Sequence, residues 1–230
     1  MDSTRLPGDP PLEIALRRSA RARRYSLRVS QLDGRVTLTL PRRAPIAEGL
    51  AFLREKEDWI RGHLAARPED HAVALGGSVP FRGRALPIVA GTGRAPRLID
   101  EALAVPGPAA GVAGRVQAFL RSEARAALAE AVDRHAGALG RPYGRLTLRD
   151  TRSRWGSCTS RGDLMFSWRL IMAPPQVLDY VAAHEVAHLA EMNHSPAYWA
   201  VVRRLMPDYA APRSWLRANG AALHRVRFGD

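Results

Sequence analysis

His184-Glu185-Val186-Ala187-His188-Leu189-Ala190-Glu191-Met192-Asn193-His194 is the stretch on which the reading of this chain turns. On a helix, residues four apart share one face, so His184 and His188 can turn both imidazoles toward a single ion. Glu185 stands about 100° further round the helix, where it can hold a water on that ion without being a ligand. Three neutral imidazole nitrogens with an open fourth position describe a catalytic zinc site, whereas a structural zinc is closed by four protein ligands. The expectation is therefore one Zn²⁺ per chain, held by His184, His188 and His194, with Glu185 as the catalytic base. The pattern is short, and chance supplies it in roughly one chain in a hundred of this length, so its surroundings must carry the argument.

Those surroundings are favourable. Ala173-Pro174-Pro175 precedes the motif, and proline fits a first helical turn because its missing N–H has no helical partner there. Val177, Val181, His184 and His188 then recur at helical spacing, so the stripe that docks the helix runs into the two histidines. The plain alternative is a buried helix with two satisfied core histidines. His194 follows His188 by six residues, the spacing used in metzincins, H-E-x-x-H-x-x-G-x-x-H. The turning glycine of that pattern is Glu191 here, and Asn193, which tolerates the left-handed region, is the expected turning residue. Ser195-Pro196 reads as an N-cap followed by proline at the first helical position. Leu205 to Tyr209 reads as the end of that next helix.

Upstream, Leu146 and Leu148 alternate before a stretch with a Gly- and Ser-rich turn, Arg149 to Asp163, and Leu164, Phe166, Trp168 and Leu170 alternate after it. Period-two alternation on both sides of a turn predicts a β-hairpin. An edge strand beside the metal helix can take an extended peptide by strand addition.

At 230 residues, with 46% apolar residues, the chain can bury a full core. Its single cysteine, Cys158, excludes an internal disulfide and fits a reducing, cytoplasmic setting. Met1 to Pro11 has no apolar signal-like region and no run reaches membrane-spanning length, so a membrane or secreted protein is disfavoured. The net charge is +13, almost wholly from arginine, with Lys56 the sole lysine. Arg17, Arg18, Arg21, Arg23 and Arg24 form the densest cluster. It reads as a solvated basic face or as a contact for nucleic acid.

Tyr25–Ser30 and Arg35–Leu40 read as a hairpin around Asp33-Gly34. Pro45 to about Leu64 reads as an amphipathic helix, Val73–Val89 as broken strands, Leu98–Val105 as one short strand, and Val112 to Ala138 as a long helix expected to pack on the metal helix. A boundary is placed near 110, with a β-rich region carrying one helix over 1–110 and the metal-binding catalytic domain over 111–230. The expected class is α+β. His63, His71, His135 and His224 lack partner spacing and are read as structural or exposed.

Trp155-Gly156-Ser157-Cys158, Trp168-Arg169-Leu170-Ile171 with Ala173-Pro174, the histidine motif, and Asn193-His194-Ser195-Pro196 with Tyr198-Trp199 together resemble the YgjP-like metallopeptidase family, which is related to the SprT-like and WLM zincins. Arg21 to Val29, Val36 to Pro41 and Glu55 to Ile60 extend the resemblance to about residues 15–220. It implies a zincin-like core following a mostly β N-terminal region, a protein or peptide substrate, zinc on His184, His188 and His194, and Glu185 as catalytic base. Arg154, Tyr198 and Tyr209 are candidate donors to the transition state. Two other readings stay open: a metal-dependent nucleotide phosphohydrolase, and a non-catalytic nucleic-acid-binding protein with structural zinc. A peptidase recruited to DNA would combine two of these.

Overall fold

Val36, Leu38 and Leu40 alternate with polar residues and all three are buried, so one face of their strand must be covered. In the computed structural model, which describes residues 3–30, 33–66 and 70–229, strand β4 (Val36–Pro41) lies inside a four-stranded sheet. Its neighbours are β2 (Leu12–Ser19), parallel to it, and β3 (Ser26–Val29), antiparallel; β1 (Ser3–Leu6) flanks β2. The β3–β4 pair is the expected hairpin, with Ser26 opposite Thr39 and Val29 opposite Val36. The sequence reading assigns no strand to β1 and β2. Arg17 and Arg18 of the basic cluster lie within β2, not ahead of the first strand.

Where one helix is expected, two form: α1 (Ile46–Glu55) and α2 (Glu57–Ala65). Lys56 separates them at φ −98° and ψ 11°, outside helical geometry. Leu53 and Ile60 join Leu6, Ile14, Val29 and the β4 side chains in one apolar cluster. Arg18 is not a free cation, since its Nη1 donates to the carbonyls of Arg42 and Ala44 at 2.9 and 3.0 Å. Arg17, Arg21, Arg23 and Arg24 are exposed.

The chain divides between Glu69 and Asp70, not near 110. The reason is burial. Val79, Ile88 and Leu103 share a single core with Val116, Leu120 and Val177, so residues 70–110 belong with the helices that follow. Within this second unit, β5 (His71–Ala72) pairs with β13 (Val226–Arg227). Strands β6 (Ser78–Phe81) and β7 (Arg84–Gly91) form a hairpin closed by Arg82-Gly83. Both turn residues have positive φ, 49° and 82°, as a tight two-residue hairpin demands. The expected single strand over 98–105 is a second hairpin, β8 (Arg97–Ile99) and β9 (Ala102–Pro106). It is turned by Asp100 and Glu101 at φ 44° and 61°. The long helix α3 (Val112–Leu139) matches its expected span.

The hairpin expected over 146–170 takes a different form. β10 (Leu146–Arg149) and β12 (Leu164–Ser167) pair in parallel, and β11 (Gly156–Cys158) pairs antiparallel with β12 on its other side. The Gly- and Ser-rich stretch holds a strand of its own, and that strand is one of the two edges of the sheet. After Ser167 the chain tightens into a buried 3₁₀ turn, Trp168–Met172. There Arg169 grips Asp150 through Nε at 2.7 Å and Nη2 at 3.1 Å, and donates through Nη1 to the carbonyls of Leu223 and Val226 at 2.9 and 3.0 Å.

The metal-motif helix α4 (Pro175–Ala187) touches α3, the 3₁₀ turn, β11, α5 (Pro196–Leu205) and α6 (Ala210–Leu223). It is buried well beyond one stripe, with Val177, Leu178, Tyr180 to Ala183, Val186 and Ala187 all buried, the mark of a helix central to its unit. The architecture is α+β, and among the described residues no helix is long and apolar enough to cross a membrane.

Candidate metal centre

Helix α4 carries His184 in its last turn and ends at His188. Their rings stand perpendicular with centroids 5.4 Å apart. His194 comes from the connector to α5, and its Nε2 lies 3.2 Å from Nε2 of His184. One nitrogen from each of the three histidines falls within 4.8 Å of the others. Two nitrogens bound tetrahedrally to zinc at 2.0–2.1 Å stand about 3.3 Å apart; the His184–His194 pair already has that spacing, and the set as a whole, within 4.8 Å, would close around such an ion by drawing inward. Nδ1 of His188 meets the carbonyl of Glu191 at 3.0 Å. That bond holds the proton on Nδ1 and leaves the Nε2 lone pair free for a metal.

The chain returns to the site without a left-handed residue. Among the described residues, the non-glycine positions with positive φ are Arg82, Asp100 and Glu101, so Asn193 does not turn the chain as expected. The end of α4 instead winds tighter. His188, Leu189 and Ala190 donate three residues back, to Glu185, Val186 and Ala187, at 3.2, 2.9 and 3.1 Å. This 3₁₀ tightening redirects the backbone while every φ stays negative, which is why Glu191 is tolerated at the glycine position. Asn193 Oδ1 accepts from Ser195 N–H at 3.0 Å, and Ser195 caps α5 by accepting from Tyr198 N–H at 3.3 Å.

Tyr198 is fully buried behind the three rings. It stacks on His188 at 4.5 Å and meets His184 and His194 edge-on at 5.3 and 4.7 Å. Its hydroxyl donates to the carbonyl of His184 at 2.9 Å, the carbonyl that His188 N–H would have used in a continuing α-helix. Of the three donor candidates, Tyr198 is thus already engaged. Tyr209 stacks between Tyr180 and Trp199, at 6.4 and 5.6 Å.

Burial, then the charges of His188, His194 and Arg213, push His184 down to about 4. Burial also lowers His188, partly offset by its bond to Glu191. Both are held in the neutral form that a metal requires. Glu185 is 5% exposed, and burial pushes its carboxyl up to about 8 against the opposing charge of Arg154. A cation on the neighbouring nitrogens would favour the carboxylate again.

Two neighbours of the site went unassigned in the sequence. A Cβ built on Gly156 of β11 would lie 2.6 Å from both Cγ and Oε1 of Glu185; a glycine in a short strand is itself a signal of such close approach. Arg213 of α6 acts on His184 and lies 4.6 Å over the Trp199 ring, and no local pattern announces it. Cys158 is pushed up to about 11 by burial and then by the charges of Glu185 and Asp163, so it stays a thiol at neutral pH. The other histidines take structural partners. His63 meets Trp59 O, His71 meets Ser78 O, His135 meets Asp179, and His224 stacks on Trp155.

No curated protein matches the chain. Among solved structures it is similar to the metallopeptidase zymogen of Pyrococcus abyssi abylysin, with 18% identity over 40% of this chain and 92% of that one and a TM-score of 0.36. A family model described as YgjP-like, metallopeptidase domain, matches residues 23–219. That span holds the three converging histidines, Glu185 and Gly156, and by it the chain belongs to the YgjP-like metallopeptidase family.

Proposed function

We propose that the chain is a zinc-dependent peptidase of the cytoplasm, with one Zn²⁺ on His184, His188 and His194 and Glu185 as general base. The observation that carries the reading is the convergence of the three imidazoles within 4.8 Å, with the buried Glu185 side chain beside them. Bound there, zinc would supply Lewis acidity, bringing the pKa of a water toward neutrality and polarising the carbonyl to be attacked. Glu185 accepts a proton from the water as its oxygen adds to the carbonyl carbon. It then delivers that proton to the amine nitrogen as the C–N bond breaks. Burial suits it to the first step, because a carboxylate with a raised pKa is a stronger base toward the water's proton than an exposed one.

Strand β11 supports a peptide substrate. Trp155 and Thr159 bond inward to Ser167 and Asp163. By the alternation of an antiparallel ladder, the backbone groups of Gly156 and Cys158 therefore face away from β12. They offer an extended chain a row of partners beside Glu185. Tyr198 orients His184 and His188 from behind, and Glu191 fixes the tautomer of His188.

The test is Glu185→Gln in the metal-loaded protein, assayed on peptides and, in parallel, on nucleotides. Loss of peptide hydrolysis by at least about a hundredfold with zinc content unchanged supports the reading. Wild-type turnover of nucleotides with none of peptides, or an Arg-dependent affinity for DNA with no turnover at all, would replace it.

A further inference from the structure

The outer face of the three-stranded sheet carries a cleft of about 500 Å³ that the proposed chemistry leaves unused. Arg145, Thr147, Arg149, Arg154 and Ser157 are among the residues that line it, with Asp163 its sole carboxylate. That carboxylate is engaged: it accepts from the Arg145 backbone N–H at 2.9 Å and lies 3.8 Å from Arg161. Among the described residues, none of the Arg145, Arg149 and Arg154 side chains has a carboxylate within ion-pairing distance, and all three are exposed. Three unpaired guanidiniums in one concave surface attract anions and match carboxylates in their donor geometry.

The cleft lies on the face of the sheet opposite Glu185, and the sheet register leads from it to the free edge of β11. Thr147 lies opposite Met165, and Met165 opposite Ser157, so one row of side chains crosses the sheet and stops at the free edge of β11. A peptide strand added to that edge extends the row. Its side chains alternate, one set toward Gly156, Cys158 and Glu185 and the other toward the cleft. Arg154, two residues before β11, lines the cleft at the end nearest that strand.

We propose that this cleft selects peptides bearing an aspartate or glutamate side chain within two residues of the scissile bond, with Arg145, Arg149 and Arg154 as the selecting residues. The proposal rests on the peptidase reading only for the position of the cleaved bond; recognition of the acidic side chain is a property of the cleft itself.

Two measurements keep these apart. In the first, the zinc-loaded full chain digests a mixed peptide library, the new termini are sequenced by mass spectrometry, and one cleaved peptide is resynthesised with Glu, Gln or Lys at the enriched position. The Glu peptide is expected to exceed the Gln peptide in kcat/KM by about tenfold, the scale of one partly solvated charge-assisted contact. That ratio should fall toward one in Arg145→Gln/Arg149→Gln and at high salt. In the second, the same fluorescent peptides are titrated into zinc-loaded Glu185→Gln by anisotropy. Tighter binding of the Glu peptide, lost in the arginine variant, upholds the selectivity even if no peptide is ever cleaved, in which case the peptidase reading alone falls. Equal binding of Glu and Gln peptides overturns the proposal. So does a short oligonucleotide that binds more tightly than the Glu peptide and depends on the same arginines, which would make the cleft a nucleic-acid groove.

Discussion

Gly156 and Glu185 are in contact so close that a single added methyl group on the glycine would sit 2.6 Å from the carboxylate arm. The edge strand and the metal-motif helix therefore meet through the absence of a side chain, and the position of Glu185 depends on a residue 29 places upstream.

Gly156→Ala is expected to displace the Glu185 side chain, because no real Cβ contact is that short. Misplacement of a reacting group by about 1 Å costs on the order of a hundredfold in rate, so kcat should fall between about tenfold and a hundredfold with zinc content intact. Metal analysis beside steady-state peptide hydrolysis checks this, and full activity would show that Glu185 functions equally well elsewhere.

Tyr198→Phe keeps the ring stacked on His188 and removes only the hydroxyl that the His184 carbonyl accepts from. One buried hydrogen bond with its acceptor left unpaired should cost about 1–3 kcal/mol, read from a denaturant midpoint at unchanged slope. Unaltered stability would mean that the tightened end of α4 satisfies that carbonyl by itself.

His194→Ala should weaken zinc binding by more than about a hundredfold, since loss of a mere outer-shell partner already costs ten- to a hundredfold. Competition with a chromophoric chelator measures it. Zinc should also raise the melting temperature of the wild type and not of this variant, because only a ligand that binds the folded state stabilises it. Tight zinc in the variant would place the third ligand elsewhere.

Asp179 gives a pH-dependent contribution. Burial raises its pKa, but the hydrogen bond from His135 at 2.7 Å and the charges of His135 and Arg134 outweigh that and hold it below the ordinary carboxylate value. A depressed folded pKa stabilises the folded state above the unfolded pKa, about 3.9, and the benefit disappears as pH falls through the folded value. Asp179→Asn should therefore be less stable than the wild type by about 1–2 kcal/mol near neutrality, with the gap closing in acid below pH ~4. A gap that persists undiminished at pH ~2 would assign the loss to packing rather than to charge.

The pattern of each segment was readable wherever local periodicity decides structure. Helix α3 runs within one residue of its expected end, the β3–β4 hairpin falls where alternation flanks Asp33-Gly34, and Ser195-Pro196 opens α5. Reading failed where pairing partners lie far apart in the chain. Leu146–Leu148 and Leu164–Phe166 alternate as hairpin arms would, yet they pair in parallel because β11 occupies the intervening stretch and takes the antiparallel place beside β12. The boundary expected near 110 followed glycine and proline content, which marks turns and not domain edges. Shared burial moved residues 70–110 into the second unit.

By itself the sequence determined which atoms could meet a metal. His184 and His188 are one helical turn apart, and that distance follows from 3.6 residues per turn whatever surrounds the helix. Only the tertiary structure decided how His194 comes back to them, through a tightened helix end backed by the Tyr198 hydroxyl. It alone set Gly156 against Glu185, Arg213 near His184 and a basic cleft at the end of a sheet row. Contacts between residues about thirty positions apart depend on how whole elements pack. Packing is settled by the volume and burial of many side chains together, and no spacing within a single segment records it.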